Sequence, residues 1–199
     1  MFLVIDLSSD PQSRVVDENR TRSDIIDPAM ARAGWSVGEG PNFSAQEEYV
    51  IDLPNGKHQY VDYCLVRNGK VLAVVEAKKT IRGAEQGREQ ARQYAHNVKA
   101  YCQPDEPMPF IFYTNGLELY FWDEEGGYPS RKIKSGNYPT PDDLQYMMWK
   151  RENSGSMVDT EVNADIAGRY YQTAAIRATT ERFEQSKQRE ALLVMATGT

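Results

Sequence analysis

The sequence is poor in the residues from which soft-metal and thiol sites are made, with 2 cysteines and 2 histidines in 199 residues. Cys64, Cys102, His58 and His96 are too few and too scattered for a C-x-x-C pair, an H-E-x-x-H helix or a His-rich cluster, so any metal must be held by oxygen. Long apolar runs are also missing. No stretch approaches the roughly 18 residues of a membrane span, and Met1 to Asp10 has neither a basic start nor a long apolar core. These absences predict a soluble, cytoplasmic protein with no membrane partner. Excess positive charge is absent as well: 23 Lys and Arg face 29 Asp and Glu, a net charge of -6, which argues against bulk nonspecific binding to nucleic acid. Only residues 61–110 are net basic, with 8 basic and 6 acidic groups. Hydrophobic residues at 40% and charged residues at 26% are those of an ordinary globular chain.

The apolar residues are patterned. Val15 to Ala33 carries a helical stripe ended by Gly34, with Pro28 either opening a second helix behind Asp27 or kinking the first. Glu48 to Leu53 reads as a strand ended by the turn Pro54-Asn55-Gly56. Gln59 to Val66 and Lys70 to Lys78 read as a hairpin around Asn68-Gly69. Ala84 to Tyr101 is an expected helix, Phe110 to Thr114 and Leu117 to Trp122 are expected strands, and Glu124 to Thr140 reads as a loop. Pro141 to Lys150 and Arg169 to Lys187 are expected helices, and Ala191 to Met195 a buried strand. The pattern predicts an α/β fold with a mixed sheet of four or five strands flanked by helices.

Asp62 and, fourteen residues later, Glu76-Ala77-Lys78 form the chemical centre. Glu76 and Lys78 alternate by two on one strand and leave the same face. Their relation to Asp62 depends on hairpin register. With a plain two-residue turn, paired numbers sum to 137 and Asp62 meets Val75; one extra residue makes the sum 138, and Asp62 meets Glu76. We expect the second, which puts both carboxylates together. Two adjacent carboxylates repel, and a hard cation such as Mg²⁺ relieves the repulsion, activates water and stabilises charge on a phosphodiester. Lys78 would then orient the water or neutralise a phosphate oxygen. Alone, an E-x-K tripeptide is equally a solvated strand end with cross-strand ion pairs. Here, however, Glu76 closes the apolar run Val71 to Val75, where a charged group needs an assigned partner. Gln90 and Tyr94, four apart, share one helix face.

Together these motifs resemble the PD-(D/E)xK nuclease fold, and more closely the nuclease region of the type I restriction endonuclease R subunit. The resemblance runs through Val61-Asp62-Tyr63, through Leu72 to Thr80, and through Gly87 to Ala95. It implies catalytic roles for Asp62, Glu76, Lys78, Gln90 and Tyr94, with Mg²⁺ on Asp62 and Glu76; Gln90 and Tyr94 would touch DNA or position Lys78. Glu18 to Arg22 and Ala33-Gly34-Trp35 look like the family's opening helix, whose acidic residue would be Glu18 or Asp24. Tyr113-Thr114-Asn115-Gly116 also fits, while Val61 stands where the motif name has proline.

Ala196-Thr197-Gly198-Thr199 after an expected strand looks like the start of a P-loop, without its lysine. With Arg169-Tyr170-Tyr171-Gln172 ahead of it, it resembles the adenine-reading segment and P-loop of superfamily 2 helicases, which implies nucleotide contacts at Gln172, Thr197, Gly198 and Thr199. The resemblance therefore implies a restriction-endonuclease-like domain over 1–152, then over 153–199 a linker and the start of a motor. The implied function is Mg²⁺-dependent cleavage of double-stranded DNA within a type I restriction-modification complex. Its methyltransferase and specificity subunits would be partners, and ATP would be used by the full-length protein only. The opposing reading is a noncatalytic DNA- or subunit-docking domain that retains the nuclease fold.

Overall fold

The protein's structure, a computed structural model, describes residues 18–40, 42 and 44–194. Among the described residues seven strands lie in one sheet in chain order: β1 (Val37–Gly38), β2 (Ala45–Asp52), β3 (His58–Arg67), β4 (Lys70–Ala77), β5 (Phe110–Thr114), β6 (Leu119–Trp122) and β7 (Arg131–Ile133). β1 runs parallel to β2 and β4 to β5; the other neighbours are antiparallel. The sheet is mixed as expected but wider, because β1 and β7 are too short, at two and three residues, to carry an alternating pattern. β7 falls inside the segment read as a loop, and its residues are mostly exposed.

The helices cover both faces. The first begins as α1 (Glu18–Thr21), widens into a π-helical turn Arg22–Ile26 and continues as α2 (Asp27–Arg32). Pro28 has no N–H to give the preceding turn, and the chain accommodates it with a wide turn in which the Asp27 N–H reaches back to the Arg22 carbonyl. Residues 15–17 of the expected helix lie outside the described residues. Ile26, Ala29 and Met30 pack with Leu144 and Met148 of α4 (Pro141–Asn153) on Tyr63, Leu65, Val75, Phe110, Phe112 and Phe121. On the other face, α3 (Arg88–Asn97), entered by a 3₁₀ turn Ala84–Gly87, sets Ala91, Tyr94 and Ala95 on Val61, Cys64, Val74 and Ile111. With both faces covered, β4 is buried from Val71 to Ala77, as a central strand with a parallel neighbour requires.

Two irregularities position the site. In the β3–β4 hairpin, Arg67 pairs with Lys70 and Val66 with Val71, but Leu65 pairs with Ala73, so Leu72 is an extra residue. Beyond this bulge Cys64 meets Val74 and Tyr63 meets Val75, the register that carries Asp62 towards Glu76. Between β2 and β3, the ladder pairs Glu47 with Tyr63 and Tyr49 with Val61 and omits Glu48 and Asp62. Val61 and Tyr63 would share a face in a regular strand, yet they belong to opposite cores. Both strands turn over at this point, where Glu48 has φ 48°.

α5 (Tyr170–Glu184) forms within the expected range, but none of its residues is buried. The expected strand Ala191 to Met195 is not found: residues 191–194 have no regular secondary structure and are exposed, with Leu192 and Val194 the most open, and Met195 lies outside the described residues. An apolar run becomes a buried strand only where a sheet receives it, and none does among the described residues.

Candidate active site

Glu76 stands at the end of β4 and is 1% exposed. Its Oε1 accepts a bond from Lys78 Nζ, while no donor among the described residues reaches its Oε2. Burial first, and the adjacent Asp62 carboxylate second, push its pKa up to about 8. Asp62 Oδ2 accepts the Ala77 N–H at 2.7 Å, which turns that oxygen towards the Glu76 strand end. Lys78 Nζ also donates to Gln90 Oε1 at 2.9 Å, and Gln90 Nε2 donates to Tyr94 Oη at 2.5 Å. Since Gln90 fills that hydroxyl as a donor, the Tyr94 proton remains to be given elsewhere. Burial, together with the charges of Glu76, Asp62 and Glu48, raises the Tyr94 phenol to about 12 and keeps it protonated.

Asp62, Glu76, Lys78, Gln90 and Tyr94 are therefore brought together at one end of the sheet. Glu18 opens α1, but its side chain lies outside the described residues; Asp24 is exposed and accepts a bond from Ser23 at 2.9 Å. Gln172 lies in α5, where its Oε1 receives the Arg169 N–H at 3.3 Å. Thr197, Gly198 and Thr199 lie outside the described residues.

Three further residues shape the site. Gly87 lets the helix entry close on it, since a Cβ there would lie 3.0 Å from Glu76 Cγ and 3.5 Å from Lys78 Cε. Asn115 is buried: its Nδ2 donates to the Arg82 carbonyl at 2.7 Å, and its Oδ1 receives the N–H groups of Leu117 and Glu118. It thereby ties the loop after β4 to the β5–β6 turn. Arg22 donates to Glu48, Glu47 and Tyr63 and lies 3.9 Å from Asp62 Oδ1. Asn115, Arg22 and Gly87 all lie in segments that carry the resemblance, but nothing in those segments predicts the close approach.

The residues present fit a hard cation. A buried carboxylate oxygen that no donor among the described residues reaches, beside a second carboxylate, offers the hard oxygen ligands that Mg²⁺ takes while keeping several waters. Among the described residues no group of three or more His, Cys, Asp and Glu converges, so the protein's share of the ligands is small.

A three-layer α/β fold with paired carboxylates and a lysine at the sheet end defines the class, and comparison supplies the relatives. Residues 40–130 match the family described as the N terminus of the type I restriction enzyme R protein. The fold matches a solved fragment described as an HsdR subunit of a type I restriction enzyme from Vibrio vulnificus YJ016, at 25% identity and a TM-score of 0.57, over 94% of this chain. Both findings are likenesses to the N-terminal region of type I R subunits, with residues 40–130 the part the family describes. The chain spans 36% of the length of that solved chain. No curated protein matches it significantly.

Proposed function

We propose that this chain is the nuclease part of a restriction subunit, cutting double-stranded DNA with Mg²⁺ inside a type I restriction-modification complex. The observation that carries the reading is Glu76: a buried carboxyl beside Asp62, with one oxygen on Lys78 and the other reached by no donor among the described residues. A bound Mg²⁺ supplies water activation and charge neutralisation at the scissile phosphate. Asp62 and Glu76 would hold it. The Lys78 ammonium donates to Glu76 and Gln90 and presents the positive charge that a phosphate oxygen would meet. Gln90, fixed by Lys78 and Tyr94 at once, orients the ammonium, and Tyr94 offers its phenol proton as a neutral donor.

Residues 1–152 form the nuclease domain in this reading, and 153–199 a linker and the start of an ATP-driven motor; that α5 buries nothing supports a boundary near Asn153. Methyltransferase and specificity subunits supply the DNA target, and the complex works in the cytoplasm. The test is cleavage of circular DNA by the reconstituted complex with Mg²⁺ and ATP. Asp62→Ala, Glu76→Gln and Lys78→Ala each abolish cutting while ATP hydrolysis continues. Cutting that survives in Glu76→Gln with unchanged metal dependence supports a noncatalytic docking domain instead.

A further inference from the structure

Arg22 begins the wide turn of the first helix, a local widening that recurs at functional sites because it re-aims a side chain. Its side chain is 11% exposed. Nη1 bonds Glu48, Nη2 reaches Glu47 at 3.1 Å and the Asp62 carbonyl at 3.4 Å, and Nε donates to Tyr63 Oη at 3.3 Å. Burial opposes its charge, but the bonds to Glu48 and Tyr63 and the charge of Asp62 outweigh burial and hold it protonated more firmly than usual. Glu48 pays for its place with a left-handed backbone that a non-glycine residue seldom adopts.

Asp62 divides its two oxygens. Oδ2 turns to the Ala77 amide on the Glu76 side, and Oδ1 lies 3.9 Å from Arg22 Nη1. A carboxylate shared between two cations is the arrangement of two-metal phosphodiester sites, whose ions stand about 3.5–4 Å apart. Here a guanidinium from the chain occupies one side, with Glu47 and Glu48 as its own carboxylates. On the other side lies Glu76, whose Oε2 is reached by no donor among the described residues.

We propose that Arg22 is a resident cation of the site, standing where a second metal ion would bind and limiting the site to one divalent ion between Asp62 and Glu76. The inference rests on the metal-dependent reading above. Arg22 is a positioning residue: it neutralises the outer oxygen of Asp62, while the inner one, which accepts the Ala77 N–H, turns its second lone pair to the metal. Lysine could replace the charge but not the planar fork that meets Glu47, Glu48 and Tyr63 together.

The test counts Mn²⁺ bound per chain, by calorimetry and by the spin-resonance signal of free Mn²⁺, on residues 1–199 with folding checked by thermal melting. The wild type and Arg22→Lys bind one ion; Arg22→Gln binds two, and Arg22→Gln with Glu48→Gln returns to one. Two ions in the wild type, or one in a folded Arg22→Gln, overturn the proposal. A wild type that binds none defeats the nuclease reading itself. If Arg22→Gln does not fold, nitrogen-15 spectra of the wild type decide: the Arg22 Nε–H keeps its shift and slow exchange at saturating Mg²⁺, and its loss overturns the proposal.

Discussion

Gly87 lies directly over Glu76, so that a Cβ on the glycine would stand 3.0 Å from the glutamate Cγ. The 3₁₀ turn Ala84–Gly87 thus brings the entry of α3 down onto the end of β4, and Gln90 comes within 2.9 Å of Lys78. Gly87→Ala forces Glu76 or the helix entry to shift by a few tenths of an ångström. We expect a loss of about 1–3 kcal/mol of stability from overpacking, and a drop of tenfold or more in cleavage by the complex. Chemical denaturation and DNA cleavage check the two effects separately.

The buried Glu76 makes the metal-free chain sensitive to pH. Its pKa is about 8 in the folded state against 4.5 ordinarily, so between those values the folded state holds the extra proton. Stability therefore falls as pH rises from about 4.5 to 8 and levels off above, by on the order of 3–5 kcal/mol from this group. Glu76→Gln removes that contribution. Urea denaturation at pH 5.5 and 8.5 should show a smaller difference for the variant than for the wild type.

Asn115→Ala leaves the Arg82 carbonyl and the N–H groups of Leu117 and Glu118 without their side-chain partner. The expected cost is about 1–3 kcal/mol, with faster amide exchange in residues 79–83 and 115–118. Unchanged exchange in both segments would show that Asn115 does not tie the two loops together.

The isolated chain should bind DNA weakly, because its net charge is -6 and Arg92 is already paired with Glu124. Affinity should fall steeply between about 50 and 200 mM salt, as backbone binding does. Fluorescence anisotropy with a labelled duplex measures it, and tight binding at physiological salt would mean that the fragment holds DNA unaided.

The central strands and the carboxylate–lysine group were legible because burial, alternation and the Asn68-Gly69 turn are local signals. The register that carries Asp62 towards Glu76 followed from polarity alone; the extra residue that sets it is Leu72, and the last pair of the ladder is Tyr63 with Val75. β1 and β7 were not legible, since two or three residues at a sheet edge are too few to show an alternating pattern. Arg22 and Glu48 escaped for a related reason. Their approach depends on a π turn before Pro28 and on a left-handed residue where two strands turn over together, and neither has a periodicity. The apolar run Ala191 to Val194 shows the opposite error: strand composition without a sheet to receive it.

The most direct test of the account is a crystal structure of the chain soaked with Mn²⁺, with anomalous scattering recorded at the manganese edge. One anomalous peak is expected within coordination distance of both Asp62 and Glu76 Oε2, with Lys78 still on Gln90. A fully soaked crystal with no peak at these carboxylates, or with its peak elsewhere in the protein, would contradict it.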